Sequence, residues 1–382
     1  MINYCKLCLL PSTKPDLFFD DSGVCAACIA FENRTEIDWH SREREFLDIV
    51  AKYKGKSNWD CLIPVSGGKD STAQVIKMLE LGLNPLCVTA TTCDLSAIGR
   101  ENIENLKNLG VDYVEFSPNP VTRRKLNKIG LEIVGDIAWP EHVGIFTIPV
   151  RAAVEFGVPL IIWGENSQNE FGGPAAAQEG NTLNRAWLEE FGGLLGLRVT
   201  DLVSNFGFKE SALIPYTYPQ DEELKRVGVT GLFLGHYFPW DGLSNALVAQ
   251  AHGFRSYGLP VEGSMVDYEN LDNHQHGIHD YFKFLKYGFG RATDIASLHI
   301  RRGRISREQA LQIVIDRDGR YPASYLGKSL LEIISPLELS LNEFNQICDK
   351  FTNKALFRKN KSGELERQSD FSLTKINYDN LE

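Results

Sequence analysis

The chain has 382 residues, 43% hydrophobic and 24% charged, with a formal net charge of −10, a composition that fits a globular protein of two or three domains. No run of 18 apolar residues occurs, so no membrane span is expected, and the acidic balance argues against a protein that lives on tRNA or DNA. Eight cysteines are too few for a disulfide scaffold, and the opening Met1-Ile2-Asn3-Tyr4-Cys5 has no basic stretch leading into an apolar one, so no secretion signal is expected and a cytoplasmic location is the default.

In chain order, residues 1–35 form a cysteine-bearing module with little helical periodicity, and residues 36–56 read as a charged helical connector. Strand and helix patterns then alternate. Cys61 to Val65 is a short apolar run ending in a glycine-rich turn, Ser71 to Leu81 has helical spacing closed by Gly82, and Leu86 to Ala90 is the next strand. Ala97 to Leu109 reads as a helix, Val111 to Phe116 as a strand, and the runs 159–164 and 231–235 as two more. This rhythm predicts an α/β fold with a parallel sheet sandwiched by helices. Residues 165–228 break it and read as an insertion. The expected domains are therefore 1–35, 36–276 and a mostly helical 277–382, with a polar, loose tail beyond Arg358.

The segment Ser66-Gly67-Gly68-Lys69-Asp70-Ser71 lies between a predicted strand and a predicted helix. Two glycines let backbone approach a phosphate, and the N–H groups and dipole at the helix start favour an anion. Ser66 and Ser71 add hydroxyls, Lys69 adds charge, and Asp70 suits Mg²⁺, a cation that prefers oxygen. The spacing is not that of the kinase-type phosphate loop; Gly327-Lys328-Ser329 looks like the end of one, but Pro322 stands where its first glycine belongs. The six residues instead resemble the SGGxDS signature of the pyrophosphatase-loop superfamily, whose adenine-nucleotide α-hydrolase fold and cleavage of ATP to AMP and pyrophosphate the resemblance implies. Thr89, at the end of the next strand, is placed in the same nucleotide site.

Cys5-x2-Cys8 and Cys25-x2-Cys28 are 16 residues apart, the spacing of a four-thiolate zinc site, with a redox pair or an iron–sulfur cluster as alternatives. Cys61 and Cys87 fall in predicted strands and are read as buried. Cys93 follows a strand near the expected nucleotide and is read as structural, although a thiolating enzyme could use it. Between residues 283 and 307, Lys283, Lys286, Arg291, Arg301, Arg302, Arg304 and Arg307 face a single acid, Asp294. This is either a site for a phosphorylated small molecule or a solvated helix face. His274, His276 and His279 read as a polar loop near substrate rather than a metal site.

The cysteine pairs, the loop, Trp163-Gly164-Glu165-Asn166, and the stretches Tyr287 to Asp294 and Arg301 to Arg304 together resemble the N-acetyl sugar amidotransferase family, from Cys5 to about Pro336. The resemblance implies conversion of an acetamido group on a nucleotide-linked sugar to an acetamidino group, in O-antigen, lipopolysaccharide or nonulosonic acid synthesis. It implies ATP, Mg²⁺ and zinc as cofactors. Its expected partners are a glutaminase and a cyclase-like subunit similar to the halves of imidazole-glycerol-phosphate synthase, since no glutaminase residues stand out here. Carried over, Ser66 to Ser71 would hold phosphates, with Lys69, Asp70 and Arg291 catalytic. Asp70 and Glu165 would bind Mg²⁺, with Gly164 and Asn166 at the rim. Arg291, Arg301, Arg302 and Arg304 would face substrate phosphates. A tRNA-thiolating enzyme is the rival, and a scaffold that only senses ATP is a second.

Overall fold

A computed structural model describes residues 2–34, 37–165, 182–183 and 196–376. The sheet has six strands in the order β3-β2-β1-β4-β6-β5, where β1 is Cys61–Pro64, β2 Pro85–Ala90, β3 Asp112–Phe116, β4 Leu160–Trp163, β5 Thr182–Leu183 and β6 Thr230–Phe233. Five strands run parallel and β5 joins the edge antiparallel to β6. Parallel strands buried on both faces need apolar residues at successive positions. Cys61 and Ile63 pack into one core with Val75, Met78, Cys87 and Leu106, while Leu62 packs into the opposite one with Val88, Ile148, Ala153 and Phe233. The helices that cover the sheet include α2 (Trp39–Ala51), α3 (Lys69–Glu80), α4 (Ala97–Lys107) and the long helix Trp139–Phe156. The parallel α/β sheet with flanking helices is as the sequence rhythm predicts. Of the expected insertion, Glu165, Thr182–Leu183 and the stretch from Gly196 onward are described.

A second large core belongs to the C-terminal region, built from Tyr281, Phe282, Leu285, Ile295, Leu330, Phe344 and Phe357. Its helices are His276–Tyr287, Arg291–Arg301, Arg307–Arg317 and Leu341–Phe351, with a hairpin of Ser324–Tyr325 and Lys328–Ser329 between them. The tail departs from the loose segment expected. Bridges pair Phe357 with Lys375, Lys359 with Leu365, and Arg367 with Leu373, and Leu373 and Lys375 are buried. Its polar sequence hides this because two of its buried residues, Ser372 and Lys375, are themselves polar.

The cysteine module contains a helix, α1 (Ala26–Asn33), that the sequence reading did not see. All four thiols are buried, and their sulfurs lie within 4.8 Å of one another. Cys5 Sγ is 3.8 Å from Cys28 Sγ and Cys8 Sγ is 3.7 Å from Cys25 Sγ, close to the roughly 3.8 Å edge of a tetrahedron with zinc–sulfur bonds of 2.3 Å. The amides of Cys8 and Cys25 donate to Cys5 Sγ at 3.5 and 3.3 Å, the kind of donor that steadies a thiolate. The residues fit a structural zinc with no open position.

This module docks on the C-terminal helices. Leu9 packs with Ala292, Ala296, Ala310 and Val314, and its amide donates to Ser297 Oγ at 3.3 Å. Thr13 Oγ1 donates to the Tyr287 carbonyl at 2.5 Å, and Arg307 Nε donates to the Cys8 carbonyl at 3.3 Å.

Candidate active site

Strand β1 has β2 on one side and β4 on the other, so the chain winds outward in both directions from that point. In such sheets a crevice opens at the carboxyl ends of the strands where the order reverses. The turn 65–68 leaves β1 there, and Gly164-Glu165 leaves β4 beside it. A cavity of about 230 Å³ occupies this place, lined among others by Ser66 to Ser71, Glu165, Trp240, Glu269, Asn270 and Arg291.

The loop is held by its own hydroxyls. Ser66 Oγ accepts from the Gly68 amide at 3.3 Å, while Ser71 Oγ donates to the Gly68 carbonyl at 3.1 Å. Gly67 has φ +81°, and a Cβ there would lie 2.9 Å from both Cγ1 and the backbone nitrogen of Ile103. Only glycine fits, for conformation and for space. Gly68 is the N-cap of α3 and offers no side chain to it, so the amides at the helix start remain available to an anion.

Lys69 is 6% exposed. Its Nζ lies 2.5 Å from Asp70 Oδ2 and 3.1 Å from Glu269 Oε1. Burial opposes its charge, but Asp70 and Glu269, with Glu165 beyond, outweigh that and push its pKa above the ordinary lysine value. Asp70 Oδ1 also accepts from Asn245 Nδ2 at 2.8 Å. Asp70 and Glu165 thus border one cavity and could hold a divalent cation. Arg291 joins them from the C-terminal region, where its Nη2 and Nε lie 3.4 Å from the Asp280 carboxylate. It keeps its charge against burial because of Asp280 and Glu269.

The remaining candidates lie elsewhere. Thr89 is buried, donates to the Val65 carbonyl at 2.6 Å and touches Tyr113, so it braces the sheet behind the loop. Gly164 borders Trp240, whose ring would sit 3.1 Å from a Cβ. Asn166 lies outside the described residues. Arg302 Nε is 2.9 Å from Asp241 Oδ1, and Arg304 Nη2 is 2.5 Å from Asp241 Oδ2. Against burial, Arg304, Ser244 and Arg302 hold that carboxyl well below its usual range. Asp241 N-caps the helix Gly242–Ala251, whose Asn245 reaches Asp70, so this pair of arginines supports the wall of the cavity from behind. Arg301 is not among the residues lining it. Lys283 pairs with Asp294 at 2.5 Å, and Lys14 of the cysteine module approaches the same carboxylate at 3.9 Å. Lys328 of the false phosphate motif sits in a hairpin and pairs with Asp94 at 2.7 Å.

The three histidines do not form one cluster. His274, His276 and His279 pair with Asp94, Asp272 and Asp136 respectively. Asp136 instead joins His279 to His142, whose Nδ1 atoms lie 2.8 and 3.0 Å from its two oxygens. Burial opposes charge on His142, yet Asp136 lifts its pKa, while burial pushes that of His279 down. Burial, with the Glu141 carboxylate adding, pushes the Cys93 thiol up to about 11. A thiol in that state is a poor nucleophile.

Sequence reasoning missed Glu269, Asn245, Asp241 and Trp240. Glu269 has one signal, the density of polar residues in 267–273, which reads equally well as an ordinary loop, and Trp240, Asp241 and Asn245 have none in the sequence.

Residues 254–370 match the family described as LPS biosynthesis protein WbpG-like, C-terminal domain. That region is therefore similar to a domain of lipopolysaccharide-biosynthesis proteins, and it supplies Arg291, Glu269 and Asn270 to the cavity. No curated protein matches the chain.

Proposed function

We propose that the chain is an ATP-dependent amidotransferase of surface-polysaccharide synthesis, which turns the acetamido group of a nucleotide-linked sugar into an acetamidino group. The observation that carries this reading is the junction at the switch point. The glycine loop and Lys69 come from the sheet, and Arg291 comes from a region similar to a lipopolysaccharide-biosynthesis domain. The sheet order and the Ser66 to Ser71 loop support an adenine-nucleotide α-hydrolase-like domain that splits ATP to AMP and pyrophosphate.

In the proposed reaction the acetamide oxygen attacks the α-phosphorus of ATP. The bond to the bridging oxygen of pyrophosphate breaks, and an O-adenylyl imidate forms. Ammonia adds to the imidate carbon, the carbon–oxygen bond to AMP breaks, and an amidine remains. The helix-start amides of α3 and Lys69 meet the charge on the departing pyrophosphate, and Arg291 meets the charge near the acceptor. Lys69 is held at one place by Asp70 and Glu269, which is the pre-positioning that such catalysis needs. Asp70 and Glu165 would hold Mg²⁺, which neutralises phosphate charge when bound. Ammonia comes from a separate glutaminase, with a cyclase-like subunit as the second partner.

The test is to incubate the protein with ATP, Mg²⁺, ammonium and a panel of N-acetylated sugar nucleotides. AMP and pyrophosphate should form together with a sugar lighter by the difference between O and NH. ADP as product would overturn the reading, and AMP formation that depends on tRNA would replace it with thiolation.

A further inference from the structure

The loop cavity, at about 230 Å³, falls below the roughly 300–1,000 Å³ usual for small-molecule sites. A second cavity, of about 330 Å³, lies in the C-terminal region, and every residue lining it falls between 262 and 324. The two cavities share one residue, Arg291. Asn270 lines the first and Asp280 the second, and both face the guanidinium: Asn270 Oδ1 accepts from Arg291 Nε and Nη2 at 3.2 Å, and Asp280 lies 3.4 Å from the same two nitrogens. The wall between the chambers is therefore one side-chain layer thick, and Arg291 is its cation.

The lining of the second cavity has a definite chemistry. Asp280 and Asp316 offer carboxylate oxygens that accept from sugar hydroxyls. Tyr321 is half-buried and stands edge-to-face against the buried Tyr281, centroids 5.8 Å apart, so its ring is the aromatic surface offered to the C–H face of a sugar. At the mouth stand two arginines. Arg320 is exposed and pairs with Asp370 at 3.3 Å, while Arg317 makes no hydrogen bond or ion pair with any described residue. Guanidinium groups are suited to phosphate by their fork of N–H donors.

We propose that this second cavity is the acceptor pocket. The 2-acetamido sugar ring lies against Tyr321, its diphosphate leaves past Arg317 and Arg320, and its acetamido group meets ATP once the Arg291 side chain, the cation shared by both cavities, turns from between them. The assignment rests on the amidotransferase reading and adds where the acceptor binds. It also accounts for why the region similar to a lipopolysaccharide-biosynthesis domain owns a chamber of its own while the nucleotide loop belongs to the sheet.

Two variants test it, each in the full chain. Arg317→Ala removes a side chain without a protein partner, and Ser324→Trp places a bulky ring at an exposed position on the cavity rim. Binding of a non-hydrolysable ATP analogue, measured by calorimetry, should stay within about twofold for both, which also shows that both fold. The KM for the sugar nucleotide in AMP formation should rise about tenfold or more in Arg317→Ala, the loss of one good contact at about 1.4 kcal/mol. Calorimetric binding of the same sugar nucleotide should vanish in Ser324→Trp. Unchanged sugar-nucleotide KM and binding in both variants would overturn the pocket and leave amidotransfer standing. A wild-type protein that binds the ATP analogue but no member of a panel of nucleoside-diphosphate-linked 2-acetamido sugars would overturn the amidotransferase reading, and the pocket with it.

Discussion

Replacing Gly67 with alanine separates the role of the loop's shape from that of its charge. Gly67 sits at φ +81°, where an L-residue is disfavoured by about 1–2 kcal/mol. The added Cβ would also meet Ile103 at 2.9 Å, through its side chain and through its backbone nitrogen. Ile103 is 1% exposed and lies inside α4, so it cannot step aside without moving the helix. Overpacking of this kind costs about 1–3 kcal/mol. Together the two effects come to roughly 2–5 kcal/mol, and relief would come from tilting the loop away from α4 and from the position it offers a phosphate. Gly68→Ala is the control. Its φ is −71°, and the nearest neighbour of its new Cβ is the Ser66 hydroxyl at 3.2 Å, which can rotate. That change should cost under about 1 kcal/mol, the usual scale for a surface change without backbone strain. Thermal melting and calorimetric ATP binding of both variants decide the matter. At roughly 2 °C per kcal/mol for a protein of this size, Gly67→Ala should melt about 4–10 °C lower and bind ATP weakly, while Gly68→Ala, whatever its Cβ does to the bound phosphate, should melt near the wild type. Equal melting points and equal ATP affinity for the two variants would refute the argument from φ and Ile103.

Metal analysis should find one zinc per chain, and Cys25→Ser should lower the melting temperature and loosen the module from the Arg291–Arg301 helix; iron with visible absorbance would rule out the zinc assignment. Lys69→Ala should reduce AMP formation by roughly 10²-fold, measured at saturating ATP, and normal turnover would remove Lys69 from catalysis. Cys93 should resist iodoacetamide at pH 8, and Cys93→Ser should keep AMP formation, because its thiol titrates only near pH 11; rapid alkylation with loss of activity would bring thiolation back. Burial lowers the Lys375 pKa from its ordinary 10.5 to about 8, so the folded state holds that proton less tightly than the unfolded one. Its charge is a penalty at pH 7 that fades as pH climbs from about 8 toward 10.5, worth up to about 3 kcal/mol, and Lys375→Met should flatten that rise in melting curves taken at stepped pH.

The local features follow from the order of residues alone. Apolar runs such as Cys61 to Val65 and Leu86 to Ala90 require strands buried on both faces, and the spacing after Lys69 requires a helix, because periodicity is a property of neighbours in the chain. Two Cys-x2-Cys pairs likewise bring their sulfurs together by short-range turns, and Gly67-Gly68 between strand and helix marks an anion-binding turn through local backbone geometry. Which distant charges meet depends instead on the folded chain. The basic stretch 283–307 reads as one patch, yet Arg302 and Arg304 turn to Asp241, Lys283 turns to Asp294, and Arg291 alone of the four arginines first singled out lines the cavity. Three histidines close in sequence separate to three aspartates, one of them shared with His142. Glu269 reaches Lys69 across 200 positions, and Leu9 seats the cysteine module on Ala292 and Ala296. A charge chooses its partner by distance in space and by the loss of water around both, and neither quantity is written in the spacing of residues along a chain.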